Sequence, residues 1–393
     1  MAGAVVVVVA DAEGAAVIES TASPAPTHRP RGLLLQWHIT HRCNLRCAHC
    51  YQDRYDGTGE LSLDQLLDVL RDYEGMLAEW RADAGSPRAV RGHITLTGGE
   101  PFARRDFMPL LERIAGARDR YSFALLTNGS FIDVAMARRL RRLRPRFVQV
   151  SMEGTEATHD RIRGPGDFRR TVAAIRHLVR FGIPTLISFT AHRLNFREFP
   201  AVAGLGIRLG VNRVWSDRLI PAVHRTGVDA PEILSPEETQ EFFEIMAEAR
   251  RRAQRRWFCR TEIAMHRALQ FLVDGDDAYH CTAGDSLITV MPDGDVYPCR
   301  RMPIPVGNVL RSSLRDIYHT NTLLRQLRDR SQTSDGCTGC DHLARCRGGL
   351  KCLSYAVTGN PFARDPGCWL PERDARAALS SSGSRTCSDD GLG

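Results

Sequence analysis

Between residues 33 and 219 the chain repeats one pattern six times, an apolar run suited to a β-strand followed by polar punctuation. The runs cover 33–40, 92–97, 121–127, 146–152, 184–191 and 212–219. Helices are expected between them at about 62–81, 106–117, 131–143, 167–181 and 196–209. Ser62 with Gln65, and Ser235-Pro236-Glu237-Glu238, read as capping boxes, and the second opens a helix running to about 254. Strands alternating with helices pair in parallel through right-handed crossovers. That much fits either an open doubly wound sheet or a partial barrel. The polar motifs separate the two. Thr97-Gly98-Gly99-Glu100, Thr127-Asn128-Gly129 and Ser151-Met152-Glu153-Gly154 all fall at the carboxyl ends of strands. Chemistry collected at those ends is what a (β/α) barrel presents.

The first strand runs into His41-Arg42-Cys43-Asn44-Leu45-Arg46-Cys47-Ala48-His49-Cys50-Tyr51. A [4Fe–4S] cubane has four irons, so three thiolates leave one iron open for an outside ligand. A structural zinc site is the alternative, with His41 or His49 as fourth ligand. The C-x3-C-x2-C spacing, together with the motifs downstream, resembles the radical S-adenosylmethionine (radical SAM) superfamily over about residues 31–370.

The resemblance implies an α/β fold: a partial (β/α)6 barrel at 31–235, a helical linker at 236–280 and a small cysteine-rich domain at 281–370. It implies that Cys43, Cys47 and Cys50 hold the cluster and that Gly98, Gly99 and Glu100 meet the methionine amino group. Ser151 is the expected contact to the ribose or methionine moiety. Arg163, in His159-Asp160-Arg161-Ile162-Arg163-Gly164, is the expected partner of the methionine carboxylate, or else forms a surface ion pair. Glu153 stands where relatives carry Asp. Tyr51 is placed near the adenine, and Asn128 and Ser188 are weaker adenosine candidates for which turn or capping roles are equal readings.

A second cysteine block follows. Cys281 and Cys299 flank Ile288–Pro298, which reads as a hairpin turning at Asp293-Gly294. Cys337, Cys340, Cys346, Cys352 and Cys368 come after it. This resembles the SPASM extension, which carries auxiliary iron–sulfur clusters. Family precedent places Cys337, Cys340, Cys346 and Cys368 on one cluster and Cys281, Cys299 and Cys352 on another. The five-residue interval from Cys346 to Cys352 is two longer than the usual pattern. Cys259 has three readings: fourth ligand of the second auxiliary cluster, hydrogen-atom donor, or plain buried thiol. Asp217, just past the sixth strand, is a candidate general base.

Composition bounds the rest. The 393 residues carry a net charge of +7, but Lys351 is the one lysine among 53 basic residues. Basic knots such as Arg138–Arg142 and Arg250-Arg251-Arg252 lie in helical segments and read as solvated faces rather than a nucleic-acid patch. No apolar run reaches the roughly 18 residues needed to span a bilayer, so no membrane partner is expected. Twelve cysteines in a chain without a signal-peptide pattern point to metal chemistry in a reducing compartment, the cytoplasm. Residues 1–30 read as a flexible leader and 371–393 as a disordered tail.

The implied reaction is reductive cleavage of S-adenosylmethionine to a 5′-deoxyadenosyl radical that removes a substrate hydrogen atom. Electrons come from an external flavodoxin- or ferredoxin-type reductant. Two substrates fit: a ribosomal peptide or protein side chain that is oxidised or cross-linked, or a small molecule such as a sugar or cyclitol that is dehydrogenated or epimerised. A non-catalytic iron–sulfur or zinc protein is the remote alternative.

Overall fold

The computed structural model describes residues 30–86, 90–222, 232–275 and 278–372, together with 9–10 and 16–17. The expected leader and tail lie almost wholly outside the described residues, apart from Val9–Ala10 paired antiparallel with Ala16–Val17. All six expected strands form: β1 (Gly32–His38), β2 (Arg91–Thr97), β3 (Tyr121–Thr127), β4 (Val148–Ser151), β5 (Thr185–Ala191) and β6 (Arg213–Arg218). They pair in parallel, each with the next. The helices are α1 (Leu63–Asp83), α2 (Phe107–Ala115), α3 (Val134–Leu143), α4 (Glu156–Arg163), α5 (Asp167–Arg180), α6 (Phe199–Leu209) and α7 (Pro236–Gln254).

Both capping boxes are present, at Ser62/Gln65 and Ser235/Glu238. In α1 the buried residues Leu66, Val69, Leu70, Tyr73, Met76, Leu77 and Trp80 recur at helical spacing and make one apolar stripe. The Tyr73 hydroxyl donates to Leu33 O at 2.7 Å and accepts from His93 N at 3.0 Å, pinning α1 across β1 and β2. In α7, Phe242 packs its ring against Phe189, Phe196 and Phe199 of the barrel wall.

Two features of the sheet were not foreseen. A seventh parallel strand, β7 (Glu262–Ala264), adds to β6. At the other edge β8 (Leu287–Val290) pairs in parallel with β1, then turns back through β9 (Asp295–Tyr297) to β10 (Gly307–Asn308). One open sheet therefore runs β10-β9-β8-β1-β2-β3-β4-β5-β6-β7. The hairpin of the cysteine-rich segment thus extends the barrel sheet at its β1 edge.

Register sorts the two faces. Leu33, Leu35, Trp37, Ile94, Leu96, Phe123, Leu125, Val148, Val150, Ile187, Phe189 and Val214 are all essentially inaccessible and form the core with the helices. The alternate positions point the other way. There Thr289 aligns with Gln36, Gln36 with Thr95, Ser151 with Ser188, Ser188 with Trp215, and Thr190 with Asp217. Trp215 Nε1 donates to Gln149 Oε1 at 3.0 Å across this face. Closed barrels fill their interior with branched aliphatic side chains. This interior is polar, which is a surface built to meet a ligand.

Candidate functional site

The cysteine loop leaves β1 and is held by the turn that follows β2. Gly99 N donates to Thr40 O at 2.9 Å and Glu100 N to Arg42 O at 2.8 Å. A Cβ on Gly98 would stand 2.4 Å from Thr40 O, and one on Gly99 2.4 Å from Arg42 O. The paired glycines thus permit two backbones to touch. Asn128 ties the loop further on, its Nδ2 donating to Asn44 Oδ1 at 2.9 Å, and Ala48 N donates to Ile162 O at 2.8 Å. Asn128 therefore has a scaffold contact of its own.

The three thiols of this loop sense one another. Burial pushes the Cys47 thiol up to about 11, with Arg163 opposing and Cys50, Glu153 and Cys43 reinforcing. Cys43 is raised in the same direction, chiefly by burial. Partly buried thiols gathered this way are poor thiolates alone and good ones beside a cationic centre. Among the described residues no three His, Cys, Asp or Glu side chains converge on a single ion. Thiolates of a cubane bind separate irons and need no such convergence. The loop fits a cluster.

Glu100 lies beside it, fully buried. It accepts from Thr127 Oγ1 at 2.9 Å, Asn128 N at 2.8 Å and Phe102 N at 3.3 Å. Burial nevertheless pushes its carboxyl up to about 7, so it waits half-protonated at neutral pH. A cation arriving there would ionise it.

Glu153 has the opposite state. Arg163 donates Nε and Nη2 to Glu153 Oε1 at 3.1 and 2.6 Å, and Thr190 N donates to Oε2 at 3.1 Å. Burial works against the charge, yet His49 and Arg163 overcome it and hold the carboxyl near 2. His49 Nε2 stands 3.5 Å away but is itself pushed down by burial to about 4, so at pH 7 the working cation is Arg163. Arg163, expected to face a ligand carboxylate, therefore already holds one inside the protein.

The rest of the signature is scaffold. Glu153 N donates to His159 Nδ1, which leaves Nε2–H for Asp167 Oδ2 at 3.2 Å. Asp160 caps the entry to α5 through Gly166 N and Phe168 N, both at 2.7 Å. Ser151 and Ser188 sit half-buried and in register on the polar face, with Met152 N donating to Ser188 O.

Three buried imidazoles were not foreseen. Among the described residues, His38 Nε2, His49 Nδ1 and both nitrogens of His192 have no hydrogen-bond partner, and the His49 and His192 rings are 6.1 Å apart. His49 was visible as a motif residue. His38 and His192 carry no sequence signal, because being unpartnered is a property of the fold.

The second cysteine block resolves into two groups. Cys337, Cys340, Cys346 and Cys368 line one cleft with Arg364 and Asp365. Cys281, Cys299 and Cys352 gather around Met302, Leu350 and Leu353. Burial raises the Cys352 thiol strongly, with Arg301 opposing and Cys299 and Cys281 adding to it. The lengthened loop turns through Gly348 and Gly349, at φ 83° and 80°. A Cβ on Gly349 would meet Asp365 at 2.5 Å. Lys351 Nζ lies 4.9 Å from the Phe362 ring centroid, and its charge acts on Cys281, Cys337 and Cys346. Tyr51 lies beneath the Arg300 guanidinium, 4.5 Å from its ring centroid, and burial raises its hydroxyl, with Arg300 opposing.

Cys259 precedes β7, whose Glu262 pairs with Arg213 at the start of β6. It therefore stands at the amino end of the strands, and its thiol donates to Thr261 O at 3.6 Å. Asp217 is clamped, with Arg301 Nη1 at 2.6 Å and Arg267 Nε at 3.5 Å. Against burial, these cations hold its carboxyl below the usual range, which makes it an anchor and a weak base.

A sequence model of the radical SAM superfamily matches residues 37–205, and one of the SPASM iron–sulfur cluster-binding domain matches 281–341. The chain is 30% identical to the mycofactocin maturase MftC of Mycobacterium ulcerans, over 86% of this chain and 87% of that protein. It is 28% identical to an AdoMet-dependent heme synthase of Methanosarcina barkeri, over 88% and 97%. The fold matches crystalline Streptococcus suis SuiB bound to its precursor peptide SuiA, with TM-score 0.64, 16% identity and 86% and 76% coverage.

Proposed function

Because this chain belongs to the radical SAM superfamily and carries its SPASM extension, we propose that it is a peptide maturase, oxidising or cross-linking a side chain of a ribosomal peptide or protein. The observation that carries this is the pairing of β8 with β1, which sets the Cys281–Cys299 hairpin beside the strand that leads into Cys43, Cys47 and Cys50. The family's cofactors are S-adenosylmethionine, a [4Fe–4S] cluster and auxiliary iron–sulfur clusters. Bound here, they supply hydrogen-atom abstraction after one-electron reduction, and an electron acceptor for the substrate.

The chain's own residues bind and orient. Cys43, Cys47 and Cys50 hold the first cluster; Cys337, Cys340, Cys346 and Cys368 the second; Cys281, Cys299 and Cys352 the third. Glu100, fully buried, would give up its proton to meet the methionine ammonium. Glu153 fixes Arg163, which turns its remaining N–H groups toward the methionine carboxylate. Ser151 and Ser188 offer hydroxyls to the ribose, and Tyr51 packs by the adenine. Asp217, with Arg301 and Arg267, holds the two cysteine groups in one rigid frame.

A second reading, oxidation of an acidic small molecule, rests on Arg300. Among the described residues no carboxylate pairs with its guanidinium, and it faces buried His38. The heme synthase similarity belongs with this reading. Anaerobic reconstitution, then incubation with S-adenosylmethionine, reductant and candidate substrates, separates the two by mass spectrometry. A peptide that loses two hydrogen atoms supports the maturase. The same loss from a small acid, with peptides untouched, replaces it, and absence of 5′-deoxyadenosine under reduction overturns both.

A further inference from the structure

α7 ends in Arg255-Arg256-Trp257-Phe258, a turn at the amino end of the strands, on the face opposite the site. Trp257 is 91% exposed and Phe258 89%, while the next large apolar residue, Leu310, is 57% exposed. Arg255, Arg256 and Arg260 are exposed beside them. The nearby acids are already engaged: Glu248 with Arg251 and Arg252, Asp274 with Arg250, and Glu262 with Arg213. Among the described residues no carboxylate pairs with Arg255, Arg256 or Arg260.

Single exposed apolar residues are ordinary, but two adjacent rings standing free among three unpaired cations are not. The charge selects an anionic partner, and the area selects its kind. Two aromatic side chains bury on the order of 400 Å² together, about half of the roughly 800 Å² that each partner gives to a standard protein interface. A lipid surface demands no complementary shape. Rings enter the boundary between headgroups and acyl chains while arginines reach the phosphates.

We propose that the Arg255-Arg256-Trp257-Phe258 tip is a reversible docking point for an anionic lipid surface. It departs from the sequence expectation of no membrane partner. It needs no spanning helix, and among the described residues no helix is long and apolar enough to cross a membrane. Docking by this end leaves the polar face and its cysteine groups turned away from the lipid.

The test is co-sedimentation of the reconstituted full chain with vesicles of phosphatidylglycerol and phosphatidylcholine, against phosphatidylcholine alone. Binding to the anionic vesicles should be roughly tenfold or more tighter, and should weaken as salt rises. W257S/F258S and R255E/R256E should each lower it by roughly tenfold or more, with iron content and 5′-deoxyadenosine formation unchanged. Absence of vesicle binding by the unaltered chain overturns the proposal, as does binding that survives both double substitutions. Retention on polyglutamate without vesicle binding also overturns it and assigns the tip to an acidic protein.

Discussion

Replacing Arg218 by methionine removes one half of a buried pair that joins the barrel to the cysteine-rich segment. Arg218, the last residue of β6, donates Nη1 and Nη2 to Asp365 at 2.8 and 2.6 Å, with the two side chains 4% and 1% exposed. Asp365 would keep the amides of Leu350 and Gly367, at 2.8 and 2.9 Å, but lose its counter-charge. Breaking such a pair costs about 3–5 kcal/mol, and the two amide donors place this case near the lower end, about 3 kcal/mol. The cost is local. Leu350 lies between Cys346 and Cys352, and Gly367, which donates to Asp365 Oδ1, immediately precedes Cys368, so segments bearing ligands of both auxiliary groups rest on this carboxylate. Urea unfolding followed by circular dichroism reads the stability, and iron analysis after anaerobic reconstitution reads the sites. Iron should fall from about twelve per chain toward about four, the complement of the Cys43/Cys47/Cys50 cluster. Adding Asp365→Asn should recover part of the stability, because the stranded charge goes with it. Full iron with an unchanged urea midpoint in the single variant would refute the reasoning.

Glu100 gives a pH signature. Its carboxyl lies near 7 in the folded chain, above its ordinary value of 4.5, so it favours folding at low pH and that contribution is lost as pH rises from 4.5 through 7. Binding S-adenosylmethionine at pH 6.5 should therefore release a fraction of a proton, seen by calorimetry in buffers of different ionisation enthalpy, and Glu100→Gln should abolish the release. Lys351→Met should make both auxiliary couples harder to reduce, by tens of millivolts on the order expected for one buried charge; unchanged potentials in spectroelectrochemistry would place the ammonium elsewhere. Cys259→Ser should leave iron content and product formation intact, and loss of iron in that variant would return Cys259 to the ligand set.

How much was readable in advance follows from the range of each signal. Strand and helix runs, both capping boxes and the Asp293-Gly294 turn were legible because each is set by a few neighbouring residues. The positions of Gly98, Gly99 and Glu100 were legible too, but the reason for the glycines was not. It is a contact with Thr40 and Arg42, some 58 residues earlier by numbering. Arg163 was legible as a charged site residue. That it already holds Glu153 depends on α4 folding back over β4, which no local pattern announces.

The sequence by itself determined the alternation of strands and helices, the thiol count and the placement of chemistry at strand ends, all of which are short-range in the chain. Tertiary structure alone decided the rest. It joined the cysteine-rich hairpin to β1 as one sheet, paired Arg218 with Asp365 and sent Cys259 to the amino end of the strands. The physical reason is that pairing across a sheet and burial of charge are set by partners distant in sequence. A residue's spacing shows what it is able to do, and its neighbours in space settle whether it does so.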